Sequence, residues 1–245
     1  MSLLVHQLRA EQLIFWRSRE SAIFIFLFPP LLFVLLASVF GESGEDVSEL
    51  VAGLIGYAVA NTALGGLAIT LVLRREYGIL KRLRSTPLPA PLYLAMVLVS
   101  NLIVLALQSV TVVALGVGLF DADLPERPLS FLLALALGGV AFTGLGLAAA
   151  ALIQSAESVA AVVNVIILPM SFLSGSFGSA DQLPRVLEVV ADVLPLKYLI
   201  DLVLGAYVGG GTIADHPGAV AVLALWGAAG YLVAWRRFGW EPRER

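Results

Sequence analysis

Six stretches of about twenty apolar residues, separated by charged breaks, govern what this chain can fold into. A hydrocarbon core about 30 Å thick takes roughly 20 helical residues to cross, at 1.5 Å each. The six stretches lie at residues 21–40, 51–73, 92–120, 129–153, 158–177 and 218–235. Composition agrees, since 59% of residues are apolar and 13% charged, against roughly 25% charged in a soluble domain. The predicted fold is an all-α integral membrane protein with six transmembrane helices, forming one transmembrane domain over residues 1–245. Residues 21–40 follow a charged leader of twenty residues and carry no small-x-small cleavage site, so they read as a permanent span and not as a signal peptide.

Charge placement gives these spans a direction. Arg9, Arg17 and Arg19 lie in the leader, Arg74, Arg75, Lys81, Arg82 and Arg84 in the second-to-third connection, and Arg236, Arg237, Arg243 and Arg245 in the tail. Together they make up twelve of the fifteen basic residues. The alternate breaks hold Glu42, Glu45, Asp46, Glu49, Asp121, Asp123, Glu126, Asp181, Glu188, Asp192, Asp201 and Asp215, twelve of the eighteen acids. The positive-inside rule then places both termini in the cytoplasm, which demands an even number of crossings. A net charge of −3 gives no basic excess for nucleic acid. Thirteen Arg against two Lys, with much Ala, Leu, Val and Gly, hints at a high-GC bacterial genome.

Two segments belong neither to spans nor to plain loops. In residues 1–20, Leu4, Leu8 and Phe15 recur at helical spacing while Arg9, Gln12 and Arg19 are polar, with Trp16 near the point where the chain enters the membrane. That pattern predicts an amphipathic helix lying in the interface plane; a solvated start with no task is the alternative. Between the fifth and sixth spans, Glu188, Asp192, Lys197 and Asp201 recur too densely for hydrocarbon. Val186, Val189, Val190, Val193 and Leu194 nevertheless form a stripe opposite Glu188 and Asp192, on a helix that Asp181 could cap and Pro184 could open. Pro195 breaks the chain, and Leu199, Leu202, Val203 and Ala206 stripe a second short helix before Gly209, Gly210 and Gly211. Residues 179–211 are therefore expected to form a re-entrant or surface-lying helical pair on the outer face, with an ordinary ectodomain loop as the alternative.

Catalytic and ion-binding constellations are largely missing. His6 and His216 fall on opposite sides of the membrane in this topology, which argues against a His metal pair or a triad. The absence of Cys removes disulfides, Cys-ligated zinc and thiol nucleophiles. No G-x-S-x-G elbow occurs; Gly175-Ser176-Phe177-Gly178 comes nearest and reads as a flexible helix end. No charged residue lies inside the six spans, whereas ion-coupled carriers usually need one. Asn61, Thr62, Asn101, Gln108, Ser109, Thr111, Thr143 and Asn164 are the buried polar candidates. They read first as interhelical hydrogen-bonding groups, with Asn61, Thr62, Asn101, Gln108 and Asn164 kept as candidates for a substrate path. Gly138, Gly139, Thr143, Gly144, Gly146 and Ala148 should let the fourth span approach a neighbour closely. Pro29, Pro30 and Pro169 should kink their helices. A P-loop needs Lys between Gly and Ser or Thr, and neither Lys81 nor Lys197 has that setting. Any drive from ATP must come from a partner.

The connection over residues 74–91 is the most structured cytoplasmic feature. Ile79, Leu80 and Leu83 give a short basic helix an apolar face, and the prolines at 87, 89 and 91 fix its end. Such a helix either orients the protein or docks its ridge in a cleft of a cytosolic protein. The run Arg75-Glu76-Tyr77-Gly78-Ile79-Leu80-Lys81-Arg82-Leu83 with Thr86-Pro87 resembles the R-E-x-G-x-L-x-x-L…T-P signature of the permease subunits of type-2 ABC exporters, of the drug- and antibiotic-resistance kind. Leu194-Pro195-Leu196-Lys197-Tyr198 with Asp201 resembles that family's outer L-P-L-T-Y motif, with Lys197 where Thr is commoner.

The resemblance spans the chain. It implies a homodimer of permeases, each copy paired with a separate ATPase subunit that binds ATP and Mg, in a bacterial cytoplasmic membrane. This chain would then hold no cofactor and be a transport subunit and not an enzyme, moving a small amphiphilic compound (drug, antibiotic or lipid-like) across the lipid bilayer. By the same resemblance Arg75, Glu76, Gly78, Leu80, Lys81, Arg82, Leu83, Thr86 and Pro87 would couple to the ATPase together with the leader, Glu76 being the conspicuous acid of the interface. Pro195, Leu196, Tyr198 and Asp201 would form the outer motif. A non-transporting scaffold or immunity protein and an ion-coupled carrier are the competing classes. Replacing Leu83 or Glu76 by Arg is expected to uncouple transport without unfolding the chain.

Overall fold

The computed structural model describes residues 3–41, 43–85, 89–178 and 184–239. Among them every regular element is helical. The helices are α1 (Leu3–Arg17), α2 (Arg19–Phe40), α3 (Gly44–Glu76), α4 (Ile79–Arg84), α5 (Ala90–Phe120), α6 (Pro128–Leu152), α7 (Ala156–Leu173), α8 (Arg185–Ala191), α9 (Pro195–Tyr207) and α10 (Pro217–Arg237). Helices α3, α5, α6, α7 and α10 are long and apolar enough to cross a membrane, while α2 contributes a shorter apolar stretch, Ile25–Phe40. This is the all-α membrane architecture expected from the hydropathy.

Helix α3 corrects the sequence boundaries. Its 33 residues span about 50 Å at 1.5 Å each, well beyond a bilayer core of about 30 Å. The extra length comes from both ends. Ser43 and Asp46 form a capping box, the Ser43 side chain accepting from the Asp46 amide and the Asp46 carboxylate from the Ser43 amide. Glu45 and Asp46, which read as loop acids, therefore sit in the first turn of a helix, where the macrodipole favours them. At the other end Arg74 and Arg75 occupy the last turn, where a cation is favoured. Midway, Ala60–Gly66 is wound as a π-helix. A Cβ on Gly146 of α6 would stand 2.5 Å from the Ala63 carbonyl oxygen, so α6 lies directly on the widened turn.

Around α3, whose residues from Leu50 to Val59 are all buried, pack α2, α5, α6, α7 and α9. Helices α6 and α10 meet along a seam of small residues. A Cβ on Gly144 would lie 2.7 Å from the Gly227 carbonyl oxygen, and one on Gly230 would lie 2.5 Å from the Gly144 carbonyl carbon. The small residues of the fourth span thus serve several neighbours, because Gly138 faces Leu199 of α9 and Gly139 faces Leu102 of α5. Helix α2 continues through Pro29 and Pro30, and α7 through Pro169.

The segment between the fifth and sixth apolar stretches folds as two helices, as the stripes suggest, but the stripes have different fates. In α9, Leu199, Leu202, Val203 and Ala206 are all buried. In α8 only Ala191 is buried, and Val186, Val189 and Val190 are exposed, as is Val193 just past its end. A half-length helix in the interface plane would turn such a face to lipid. Pro184 is the N-cap of α8, and Asp181, proposed for that task, lies outside the described residues. The end of α9 is stitched to the α5–α6 loop. The amides of Glu126 and Arg127 donate to the Tyr207 and Ala206 carbonyls (3.0 and 3.1 Å), and the Tyr207 hydroxyl donates to the Asp123 carbonyl at 2.6 Å.

Candidate functional site

At the charged end of α3, Arg75 and Glu76, two of the residues expected from the resemblance to couple to a partner, meet the rest of the fold. Arg74 is buried and clamps Glu11 of α1 with both guanidinium arms, Nη2 to Oε2 at 2.8 Å and Nη1 to Oε1 at 3.1 Å. Nη1 also donates to the Tyr93 hydroxyl of α5 at 2.6 Å. The next residue turns elsewhere. Arg75, 2% exposed, donates to the carbonyls of Ala150 (2.8 Å) and Ile153 (2.5 Å), at the C-terminal end of α6. Glu76 accepts from the Ala156 amide at 2.8 Å, at the start of α7. Each charge answers the helix end it faces, a cation at free carbonyls and an anion at a free amide.

Past Glu76 the chain reverses on Gly78, whose φ of 68° is left-handed and suits a residue without a Cβ. Helix α4 then presents two surfaces. Leu80 is fully buried and Leu83 is half-buried against the core. The apolar ridge, expected to enter a cleft of another protein, is thus held largely by this chain. What remains outside is Tyr77, Ile79, Lys81 and Arg82. Thr86 and Pro87 lie outside the described residues.

Glu11 escaped the sequence reading, although a signal was present. It falls on the same helical stripe as Leu4, Leu8 and Phe15, so an acid sits in an otherwise apolar face. An acid placed there needs a cation, and Arg74 supplies it. Gln12 completes the docking of α1 by donating to the Ser100 hydroxyl (2.8 Å) and carbonyl (3.0 Å) of α5. Trp16 in turn donates to Gln12 at 3.1 Å.

Beside this network lies a cavity of about 270 Å³ between α1, α2, α3 and α5. Of the five polar path candidates, it brings together Thr62 and Asn101. Gln108 adjoins them as a link: the Thr62 hydroxyl donates to Gln108 Oε1 at 3.0 Å, and Gln108 Nε2 donates to the Ile25 carbonyl at 2.5 Å. The buried Nδ2 atoms of Asn61 and Asn101 have no hydrogen-bond partner. Asn61 does not line the cavity, and Asn164 is exposed on α7, among Val162, Val165, Ile166 and Leu168.

The outer motif closes the corner between α8 and α9. Pro195 opens α9 at its first position, where its missing N–H costs nothing, and Leu196 is fully buried. The Tyr198 hydroxyl donates to the Asp192 carbonyl at 2.6 Å, and Lys197 Nζ lies 2.5 Å from Asp192 Oδ1. Lys197, in the position that reads as Thr in the motif, thus holds the turn from the side-chain end. This hydrogen bond with Asp192 raises the Lys197 pKa above its ordinary value. Asp201, the remaining motif residue, is exposed.

Known proteins share this pattern. The family model described as "ABC-2 type transporter" matches residues 3–208. Nodulation protein J of Rhizobium leguminosarum bv. trifolii is 36% identical over 113 residues, covering 44% of this chain and 43% of that protein. Nodulation protein J of Rhizobium meliloti (strain 1021) is 34% identical over 116 residues, 45% of this chain and 44% of that protein. The inner membrane transport permease YhhJ of Escherichia coli (strain K12) is 24% identical over 170 residues, 69% of this chain and 45% of that protein. The matched stretches span less than half the length of each of these relatives. With apolar spans and a family match over most of its length, the chain is a multi-pass membrane protein that belongs to the ABC-2 type transporter family.

Proposed function

We propose that this chain is the membrane half of an ATP-driven exporter of a small amphiphile, built from two permease copies and two ATPase subunits, with both termini in the cytoplasm. One observation carries the coupling: the end of α3, from which α4 turns off, is tied through Arg75 to the end of α6 and through Glu76 to the start of α7. A push on Tyr77, Ile79, Lys81 and Arg82, which are exposed, would therefore reach three spans at once. ATP and Mg would bind the ATPase. Asn164 supports pairing of permeases, since an amide on an exposed apolar face of α7 is costly in lipid and is better placed against a second protein surface. By this reading that surface is the second copy, and the substrate passes beside it.

The test is co-purification and ATPase turnover with a candidate P-loop ATPase subunit of an ABC transporter. Lys81→Glu with Arg82→Glu is expected to lower both by at least tenfold, while the chain stays folded and inserted. Undiminished ATPase binding and export by this variant would overturn the proposal for α4. Transport driven by a proton or sodium gradient in ATPase-free liposomes would overturn the whole reading.

A further inference from the structure

Proline leaves a defect in α2 that a residue of another helix repairs. In an α-helix each amide donates to the carbonyl four residues earlier, and a proline has no amide hydrogen to give. Pro29 and Pro30 lie inside α2, so the carbonyls of Ile25 and Phe26 lose the donors that regular winding would supply. In hydrocarbon such a carbonyl must find its donor on a neighbouring helix. Gln108 of α5 provides one to Ile25, its Nε2 donating at 2.5 Å. A carbonyl only accepts, so this contact fixes which end of the Gln108 amide faces α2. The other end, Oε1, accepts at 3.0 Å from the hydroxyl of Thr62, within the π-turn Ala60–Gly66 of α3.

The tie joins two places where regular winding fails, the proline pair of α2 and the π-turn of α3. Gln108 is fully buried, so solvent cannot take its place. The half of α2 before the prolines is otherwise lightly held. Among its described side chains only Ala22 is buried, whereas Phe33 and Ala37 anchor the half beyond. A helix that lacks successive intrahelical bonds bends most readily at that point. Ile25 and Thr62 both line the cavity beside α1, so a bend at the prolines would change the width of that cavity.

We propose that Gln108 is a positioning residue that stands in for the amide Pro29 lacks. Bonded to Ile25, it holds α2 on its present course beside α3; released, it lets the inner half of α2 swing about Pro29 and Pro30. Ile23 lies six residues, about 9 Å, before Pro29, so a bend of about 20° displaces it by about 3 Å. The device needs neither ATP nor a partner, so it stands or fails separately from the exporter reading.

The sequence has no Cys, so introduced cysteines carry spin labels without competition. Ile23→Cys is paired with Val110→Cys of α5 or with Leu225→Cys of α10, all at exposed positions. Pulsed electron paramagnetic resonance then reads the distance in the full chain in nanodiscs, diluted with unlabelled chain. With Gln108 present, each pair should give one distance. Gln108→Leu should add a population shifted by about 3 Å in at least one pair. Adding Pro29→Ala restores an amide to Ile25 and should return that chain to one distance, whereas Pro30→Ala, which serves Phe26 instead, should not. Should Gln108→Leu fail to fold, recovery of folded chain by Pro29→Ala and not by Pro30→Ala gives the same support. Unchanged distances in Gln108→Leu would overturn the proposal, as would no recovery with Pro29→Ala or equal recovery with Pro30→Ala.

Discussion

Removing either partner of the Glu11–Arg74 pair should free α1 from the bundle. The pair is bidentate, at 2.8 and 3.1 Å, with Glu11 at 5% and Arg74 at 9% exposure. At a separation of about 4 Å and an effective dielectric constant of roughly 20, two such charges attract by about 4 kcal/mol. Truncating one leaves the other buried without its partner, which costs about 3–5 kcal/mol in proteins where it has been measured. Tyr93→Phe removes the acceptor that Arg74 Nη1 reaches but leaves the Glu11–Arg74 pair intact, and should cost less, about 1.5–3 kcal/mol. Arg9 and Arg17 are exposed on α1 and provide trypsin sites that report its release. If α1 opens locally before cleavage, the rate follows the open population, and a loss of about 3 kcal/mol raises it by roughly a hundredfold. The double variant Glu11→Leu with Arg74→Met removes both charges and keeps apolar volume, so it should be cleaved far more slowly than either Glu11→Ala or Arg74→Ala. Should both single variants resist trypsin as well as the unaltered chain does, the pair contributes nothing to docking and other contacts hold α1 in place.

Three other perturbations follow from the same geometry. Glu76→Gln weakens the acceptor at the start of α7 and should cost about 0.5–2 kcal/mol, whereas Arg75→Met strips the buried carbonyls of Ala150 and Ile153 of a charged donor and should cost more; detergent thermal melts rank the two, and a reversed order would count against the clamp. Gly144→Val must push α10, whose Gly227 carbonyl oxygen lies 2.7 Å from the new Cβ, away from α6, so it should lower the melting temperature more than Gly118→Ala, where nothing lies within 4 Å. Asp215 has its pKa lowered by the Thr212 amide and hydroxyl. A lowered carboxylate pKa stabilises above the unfolded value, and the contribution is lost as pH falls through the folded one. Exchange of the Thr212 amide should therefore quicken in acid relative to its intrinsic rate, and Asp215→Asn should remove that dependence.

The parts of the fold visible in the sequence are those that depend on solvent and period. Lipid selects long apolar runs, so the spans stood out, and burial selects a 3.6-residue stripe, so Leu199, Leu202, Val203 and Ala206 were recognisable as the inner face of α9. Boundaries set by single side chains were harder to see. The acids Glu45 and Asp46 look like a loop until Ser43 is recognised as a cap, after which they extend α3 by two turns. The π-turn at Ala60–Gly66 has no periodic signature, because it reflects where the backbone of α6 comes to rest. In the candidate site, the sequence singled out Arg75, Glu76, Leu80 and Leu83 as one group, but carried no sign of the directions in which their side chains turn. An apolar face on a short helix does not say whether its own chain or another covers it, and here Leu80 is covered from within. Glu11 was hidden for a related reason: its meaning depends on a cation 63 positions away.

The three consecutive charges at the end of α3 explain how so small a helix as α4 can be rigidly connected to so much of the bundle. Successive residues of an α-helix differ in direction by about 100°, so Arg74, Arg75 and Glu76 fan over about 200°. Each consequently meets a different neighbour: Arg74 meets α1 and α5, Arg75 the end of α6, and Glu76 the start of α7. Apolar side chains at these positions could pack against the same helices, but they would resist sliding weakly, since dispersion contacts have little directionality. Charge-assisted hydrogen bonds fix distance and angle together. A displacement of α4 therefore cannot be absorbed by slip at its root; it must either break one of these bonds or carry α1, α5, α6 and α7 with it. Under the exporter reading, that choice is what turns closure of an ATPase below the membrane into rearrangement within it.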